Sequence, residues 1–558
     1  MADDADGAFT SYATATVDGL LELQPEWATG VGDHRHDDRL TVGTAGHYEQ
    51  ASRWAGERLA GLAAIGSGSL SPEHRVDAQI LANQLARLRF VIDELREHEW
   101  NPMVANPGRA IYNLLARDYA PLTDRLRCAA RRLAMLPESL AAARSVLGAM
   151  PEIHIETALT QFAGTERLLS GELMRQASAA NGAEPDLARV VPRALESLGE
   201  HTRWLEERLA SGRRGGFREP RLGADLFSRK LRLVLDTELP VEQILARAEA
   251  DLARMSGELA AAAAELTGAP AGDEGATVRA ALDSLAADAP DDATILEFVR
   301  AAFGAQRDFV TAHDLVTVFD DPVEVIAMPE IDRGVAVAYC DSPGPLETAA
   351  LPTFIAVSPT PEGWTQERVR SFYREYNRHM IHNIMIHEAM PGHALQLQHS
   401  RRFTAASPVR TAWRSGSFVE GWAVYAEQVM NAHGYPGEGN PAALRTQRLK
   451  AKIRSVINAI MDTRVHCLGM TEPEAMALMT GPGHQEEGEA AGKWRRVLLT
   501  SAQLSTYYVG FLEVSGLADD LRREHPDWPE RRLHDAMLAH ASPPARHLRT
   551  LLGARAAA

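Results

Sequence analysis

Leu444–Met461 reads LRTQRLKAKIRSVINAIM, with apolar residues returning every three to four positions. That is the period of a helix that buries one face. The same spacing recurs over Val76–Leu95, Leu122–Leu147 and Val241–Leu266, in a chain rich in Ala, Leu, Arg and Glu, all good helix formers. Strand-like sequence is confined to Leu315–Phe319, Val323–Met328, Val335–Cys340 and Thr353–Val357, short β-branched or alternating runs separated by Pro, Gly and Asp. The expected fold class is mainly α, with one small antiparallel sheet (about 315–357) beside a helix that starts near Thr365.

A chain of 558 residues exceeds what one hydrophobic core organises. Two polar breaks, Ser211–Gly216 (SGRRGG) and Thr267–Gly275 (TGAPAGDEG), read as loops. The first separates an N-terminal helical subdomain, 1–210, from a catalytic subdomain, 217–558. The second joins helices within the latter. Apolar residues at 45% and charged residues at 24% describe a globular protein rather than a disordered one. A formal charge of −17 argues against a nucleic-acid surface. The opening MADDADGAFT lacks a basic and apolar leader, and the uncharged run Val497–Leu512 is too short to span a bilayer. The expectation is a cytoplasmic protein with no membrane partner. Cys128, Cys340 and Cys467 are too few and too scattered for a disulfide framework or a cysteine zinc site.

Chemistry concentrates in Ile386–Gln396, IHEAMPGHALQ. A His followed at once by Glu on a helix, with a second His nearby, is the layout of a zinc hydrolase. His387 and His393 are six apart, however, which on a regular helix leaves their side chains about 120° from a shared face. Pro391 and Gly392 lie inside that interval, and Pro391 has no N–H to give the carbonyl of His387. The helix is expected to bulge or break there, bringing His393 round to His387. Downstream, Ser417–Glu427 reads SFVEGWAVYAE and places Glu420 and Glu427 two turns apart in an apolar helix. Glu420 is the candidate third ligand. Glu427 is either a partner that holds one of the histidines or a solvated helix charge.

HEAMPGHALQ followed by EGWAVYAE resembles the signature of domain-of-unknown-function family 885, and the likeness extends over nearly the whole chain. Pro25–Gly32 (PEWATGVG), Phe217–Leu222 with Leu226–Phe227, Ile460–His466 (IMDTRVH) and Gln503–Gly510 (QLSTYYVG) fit further blocks. The resemblance implies a largely helical zinc metallopeptidase, with His387, His393 and Glu420 on the metal and Glu388 as general base. It also implies that Asp462, His466 and Tyr507 lie near the site. The chain departs from the pattern at Ser501-Ala502 and at Lys493, where an acid is often found. Arg495-Arg496 reads as a solvated helix face, with a grip on a substrate carboxylate as the alternative.

The expected activity is hydrolysis of an amide bond with one zinc per chain, or another divalent metal in its place. Glu388 would take a proton from the attacking water, and Tyr507 or His466 would stabilise the oxyanion. The strand Thr353–Val357 is the candidate to pair with an extended peptide. A hydrolase dedicated to one small amide metabolite is the alternative substrate class, and a non-catalytic binding protein the alternative outside enzymes.

Overall fold

A computed structural model describes residues 2–180, 185–268, 273–329, 337–361, 363–405 and 407–554. The chain divides into two units. The first comprises Met1–Pro220 with the returning segments Pro343–Leu351 and Ala405–Ala412. It contains helices α1 (Pro72–Phe90), α2 (Leu122–Val146) and α3 (Asp186–Gly215), the last two sharing a core through Leu126, Leu133 and Leu140 of α2 and Leu187, Leu198 and Leu205 of α3. Polar pairs hold the two returning segments in this unit. Buried Arg410 donates to Asp77 at 2.5 Å and Glu73 at 2.9 Å, and Glu347 lies 2.9 Å from His34.

SGRRGG is not a loop. Helix α3 continues through it to Gly215, and Gly216, at φ 99°, makes the stop. Arg213 pays out its charge to Glu152 at 2.9 Å and Glu156 at 3.2 Å, which ties this last turn down. Residues Val91–Leu95, expected to extend α1 as α-helix, form a π turn at its end.

The second unit comprises Arg221–Ser342, Pro352–Thr404 and Trp413–Ala558. Its helices include α4 (Val241–Thr267) and α5 (Ile295–Ala312), which precede strands β1 (Val323–Ala327), β2 (Ala338–Asp341) and β3 (Thr353–Val357). Helices α6 (Gln366–Glu375), α7 (Arg378–Glu388), α8 (His393–Arg402), α9 (Gly416–Ala432), α10 (Pro441–Leu468), α11 (Glu487–Leu499) and α12 (Ser505–Glu524) build the rest of what concerns the site. Asn440 starts α10 by accepting the Ala443 N–H at 3.2 Å, with Pro441 in the first turn and Gly469 at φ 72° closing the end. Ile453, Val456, Ile457 and Ile460 of α10 are buried in the core to which α4 contributes Ile244, Met255 and Leu259.

The sheet is mixed rather than antiparallel. Its order is β1-β3-β2, with β1 parallel to β3 and β2 antiparallel to it. The most buried strand, β3, takes the centre, so both of its edges are already paired and it cannot receive a peptide. Leu315–Phe319 is not a strand, because its polar backbone groups are satisfied by side chains. The Thr317 N–H donates to Asp535, while His399 and His534 reach the carbonyls of Thr317 and Leu315. Val335–Cys340 is partly outside the described residues; the strand there runs Ala338–Asp341. The single helix expected from Thr365 is two helices, capped by Thr365 and by Asn377. Among the described residues, no helix is long and apolar enough to cross a membrane.

Candidate metal centre

Helix α7 stops at Glu388 and α8 starts at His393. Across the break, the Gly392 N–H donates to the Ile386 carbonyl at 3.0 Å. A Cβ on Gly392 would press into the carbonyl oxygens of Ile386 and His387, so only glycine fits this approach. Trp422 of α9 donates its indole N–H to the Pro391 carbonyl at 2.8 Å and pins the break in place. The result is that the rings of His387 and His393 lie 4.6 Å apart, at 83° to one another.

Both imidazoles meet a carboxylate from α9. Glu420 Oε2 is 3.2 Å from His387 Nε2 and 3.5 Å from His393 Nε2. The donor atoms of His387, Glu388 and His393 also lie within 4.8 Å of one another. On its other side, His387 Nδ1 is 2.8 Å from Glu427 Oε1, and Asn383 donates to Glu427 Oε2 at 2.8 Å. A carboxylate only accepts, so Nδ1 donates to Glu427 and Nε2 to Glu420; a metal on Nε2 would take the place of the second hydrogen while Nδ1 keeps its own. Burial opposes protonation of His387, but Glu420 and Glu427 outweigh it and raise its pKa well above the ordinary value. Burial likewise opposes ionisation of Glu420, yet the two histidines hold its carboxyl well below the usual range.

This donor set fits a divalent metal. Ligand atoms at zinc distances in a tetrahedron are about 3.3 Å apart, the separation at which Glu420 Oε2 meets the two imidazoles. Glu388, Glu420 and Glu427 bring three carboxylates around two imidazoles, a concentration of negative charge that a divalent cation neutralises.

Glu388 is held separately. Its Oε2 accepts the Cys340 N–H of β2 at 2.9 Å, and burial pushes its carboxyl above the ordinary value against the pull of His393 and His387. These groups line a cavity of about 560 Å³ that also contains Tyr507 of α12. The Tyr507 hydroxyl is 3.2 Å from Arg496 Nη2, which also donates to Gln503 at 2.8 Å.

Asp462 and His466 do not line this cavity. Asp462 is buried and accepts from the Ala502 N–H, the Ser505 N–H and the Ser505 hydroxyl at 3.1, 3.0 and 2.8 Å. It fixes the entry to α12 and thereby the helix that carries Tyr507. His466 stacks on Phe227, with Nε2 2.9 Å from the carbonyls of Val497 and Thr500 and Nδ1 accepting from the Leu222 N–H at 3.4 Å. Both nitrogens are engaged by backbone, which removes His466 from the oxyanion role. Sequence reasoning gave no role to Asn383, to the Trp422 anchor or to Glu489; it marked Lys493 only as a departure from the family pattern and read Arg496 as a solvated face or a grip on a substrate carboxylate. The spacing of Glu489, Lys493 and Arg496 at i, i+4 and i+7 was the signal that puts the three on one face of α11.

The sequence matches, over residues 25–552, the family described as "Bacterial protein of unknown function (DUF885)". The chain belongs to the DUF885 family. No curated protein matches it. A "putative lipoprotein of unknown function" from Shewanella oneidensis has a similar solved structure, 27% identical, with a TM-score of 0.83 over 98% of this chain and 99% of that one. A "putative lipoprotein" from Colwellia psychrerythraea, 18% identical, shares the fold with a TM-score of 0.78 over 98% and 99%. The description of the Shewanella relative overturns the cytoplasmic expectation, which rested on the acidic opening MADDADGAFT and the missing leader pattern.

Proposed function

We propose that this DUF885 protein is a metal-dependent hydrolase of amide bonds, with His387, His393 and Glu420 holding one zinc or another divalent ion and Glu388 as general base. The observation that supports it is the meeting of two imidazole Nε2 atoms with Glu420 Oε2 at 3.2 and 3.5 Å, beside Glu388, in a cavity. A divalent zinc bound there would acidify water and polarise a carbonyl oxygen.

The protein's own groups supply the rest. Adjacent helical residues diverge by about 100°, so Glu388 leaves α7 in a different direction from His387. With Cys340 N–H on Oε2, its other oxygen is oriented to take a proton from water and pass it to the leaving nitrogen. Tyr507 accepts from Arg496, which leaves its own O–H to donate to the oxygen where negative charge develops. Such a donor contributes about 2.7–4 kcal/mol. Asn383 and Glu427 hold the His387 ring in one tautomer and orientation.

A cavity of about 560 Å³ is in the size class of small-molecule sites and favours a short peptide over a folded protein. The same volume supports the second reading, a hydrolase dedicated to one small amide metabolite. The test combines metal analysis with turnover of a panel of dipeptides and acyl-amino acids, read by mass spectrometry. Glu388→Gln should keep the metal and lose turnover by about 10²–10⁴-fold or more. Metal-loaded Glu388→Gln protein with near-normal kcat would sink the mechanism.

A further inference from the structure

The metal cavity has two electrical ends. Glu388, Glu420 and Glu427 surround the histidines, whereas Arg454 of α10 and Lys493 and Arg496 of α11 line the same cavity with Glu489 as the one acid among them. Glu489 is shared. It lies 3.7 Å from Lys493 Nζ and 4.0 Å from Arg454 Nη1, and accepts the Tyr376 hydroxyl at 3.1 Å. The Arg496 hydrogen bonds go to neutral groups, Gln503 and Tyr507.

Lys493 is the telling residue. Its side chain is 10% exposed, yet its nearest carboxylate oxygen, at 3.7 Å, is beyond hydrogen-bond reach. Burial pushes this ammonium down to about 8, and Glu489 does not make up the loss. A structural ion network closes its charges, because a buried cation without a hydrogen-bonded partner is costly. Arg454 lies between Glu489 and Glu375, at 4.0 Å from each, whereas Lys493 and Arg496 are left open to the cavity.

We propose that Lys493 and Arg496 receive a substrate carboxylate, so that the substrates are carboxylate-terminated amides: N-acyl amino acids and short peptides with a free C-terminus. Arg496 offers its Nη1 hydrogens to a carboxylate oxygen, since Nη2 serves Gln503 and Tyr507, and Lys493 adds a point charge. The catalytic part rests on the hydrolase reading; the recognition part does not.

The test is calorimetric binding of a pool of N-acetyl amino acids, as free acids and as primary amides, to chelator-treated full-length protein. Removing metal prevents a carboxylate from binding there instead. The acids should bind about tenfold or more tightly than the amides, the lower range for a hydrogen bond to a charged group. Lys493→Met and Arg496→Gln should each bring the pair within about threefold, while Glu388→Gln leaves the preference intact. Equal binding of acids and amides, no binding of acids, or a preference that survives both substitutions overturns the proposal. Zinc-loaded turnover of the same pool separates the two ideas. Acid preference without any turnover counts against the hydrolase alone, and equal kcat/KM for acids and amides counts against the carboxylate site alone.

Discussion

Gly421→Ala tests whether the site depends on how closely α9 and α12 approach. A Cβ on Gly421 would lie 2.8 Å from Gly510 Cα and closer still to that residue's carbonyl, whereas ordinary contact starts at 3.4 Å. The obstacle is backbone, with no rotamer to swing away, so the helices must part by roughly 1 Å in a close-packed core. Overpacking of this kind costs about 1–3 kcal/mol, and alanine returns up to about 1 kcal/mol of helix propensity. With a backbone obstacle placing the cost in the upper half of that range, the expected net loss is about 1–2 kcal/mol. Because α9 carries Glu420 and Glu427 while α12 carries Tyr507, zinc affinity should fall as well, by about tenfold for the loss of 1.4 kcal/mol of ligand alignment. Gly257→Ala is the control, since nothing lies within 4 Å of its added Cβ on the exposed face of α4, and it should gain up to about 1 kcal/mol. Urea midpoints in chelator and zinc affinity by competition give both readouts. If Gly421→Ala matches the unsubstituted protein while Gly257→Ala shows its gain, the helix seam dilates freely and the reasoning is wrong.

Glu427→Gln should weaken zinc binding by about 10–100-fold, since it replaces the carboxylate that receives the His387 Nδ1 hydrogen; unchanged affinity in a chelator competition would exclude that role. Asp462→Asn should cost about 1–3 kcal/mol, because one acceptor oxygen cannot serve the Ala502 and Ser505 donors together, and should lower turnover at unchanged metal content by loosening the start of α12. His201 is buried between Phe162 and Trp204 with neither ring nitrogen hydrogen-bonded, and burial pushes it down to about 4. The unfolded chain therefore binds the extra proton between about pH 6.5 and 4, so this stability is complete above 6.5 and lost as pH falls through that window, by about 3 kcal/mol. His201→Leu should flatten the urea-midpoint profile there, and an unaltered slope would assign the acid sensitivity to other groups.

Local chemistry carried much of what can be read from this sequence. Apolar spacing marked α2, α4 and α10, whose bounds follow from caps and breakers within a few residues of each end. Pro391 and Gly392 marked an interrupted helix between His387 and His393, because a missing N–H and a missing Cβ act on carbonyls only a turn away. Mainly-α class and membership of the DUF885 family were legible for the same reason. Tertiary structure decided the remainder. The order β1-β3-β2 depends on which strand is most buried, not on chain order, and Leu315–Phe319 loses its place in the sheet to the side chains of Asp535, His399 and His534. His466 and Tyr507, alike as candidates in the sequence, part company because Val497 and Thr500 occupy the imidazole while α12 carries the phenol into the cavity. The open cations of α11 became visible only when Glu489 proved to be shared. Periodicity and capping act through neighbours in the chain, and one sequence displays them; pairing of a charge, an edge or a ring nitrogen depends on residues far along it, and only the packed chain settles which partner each one finds.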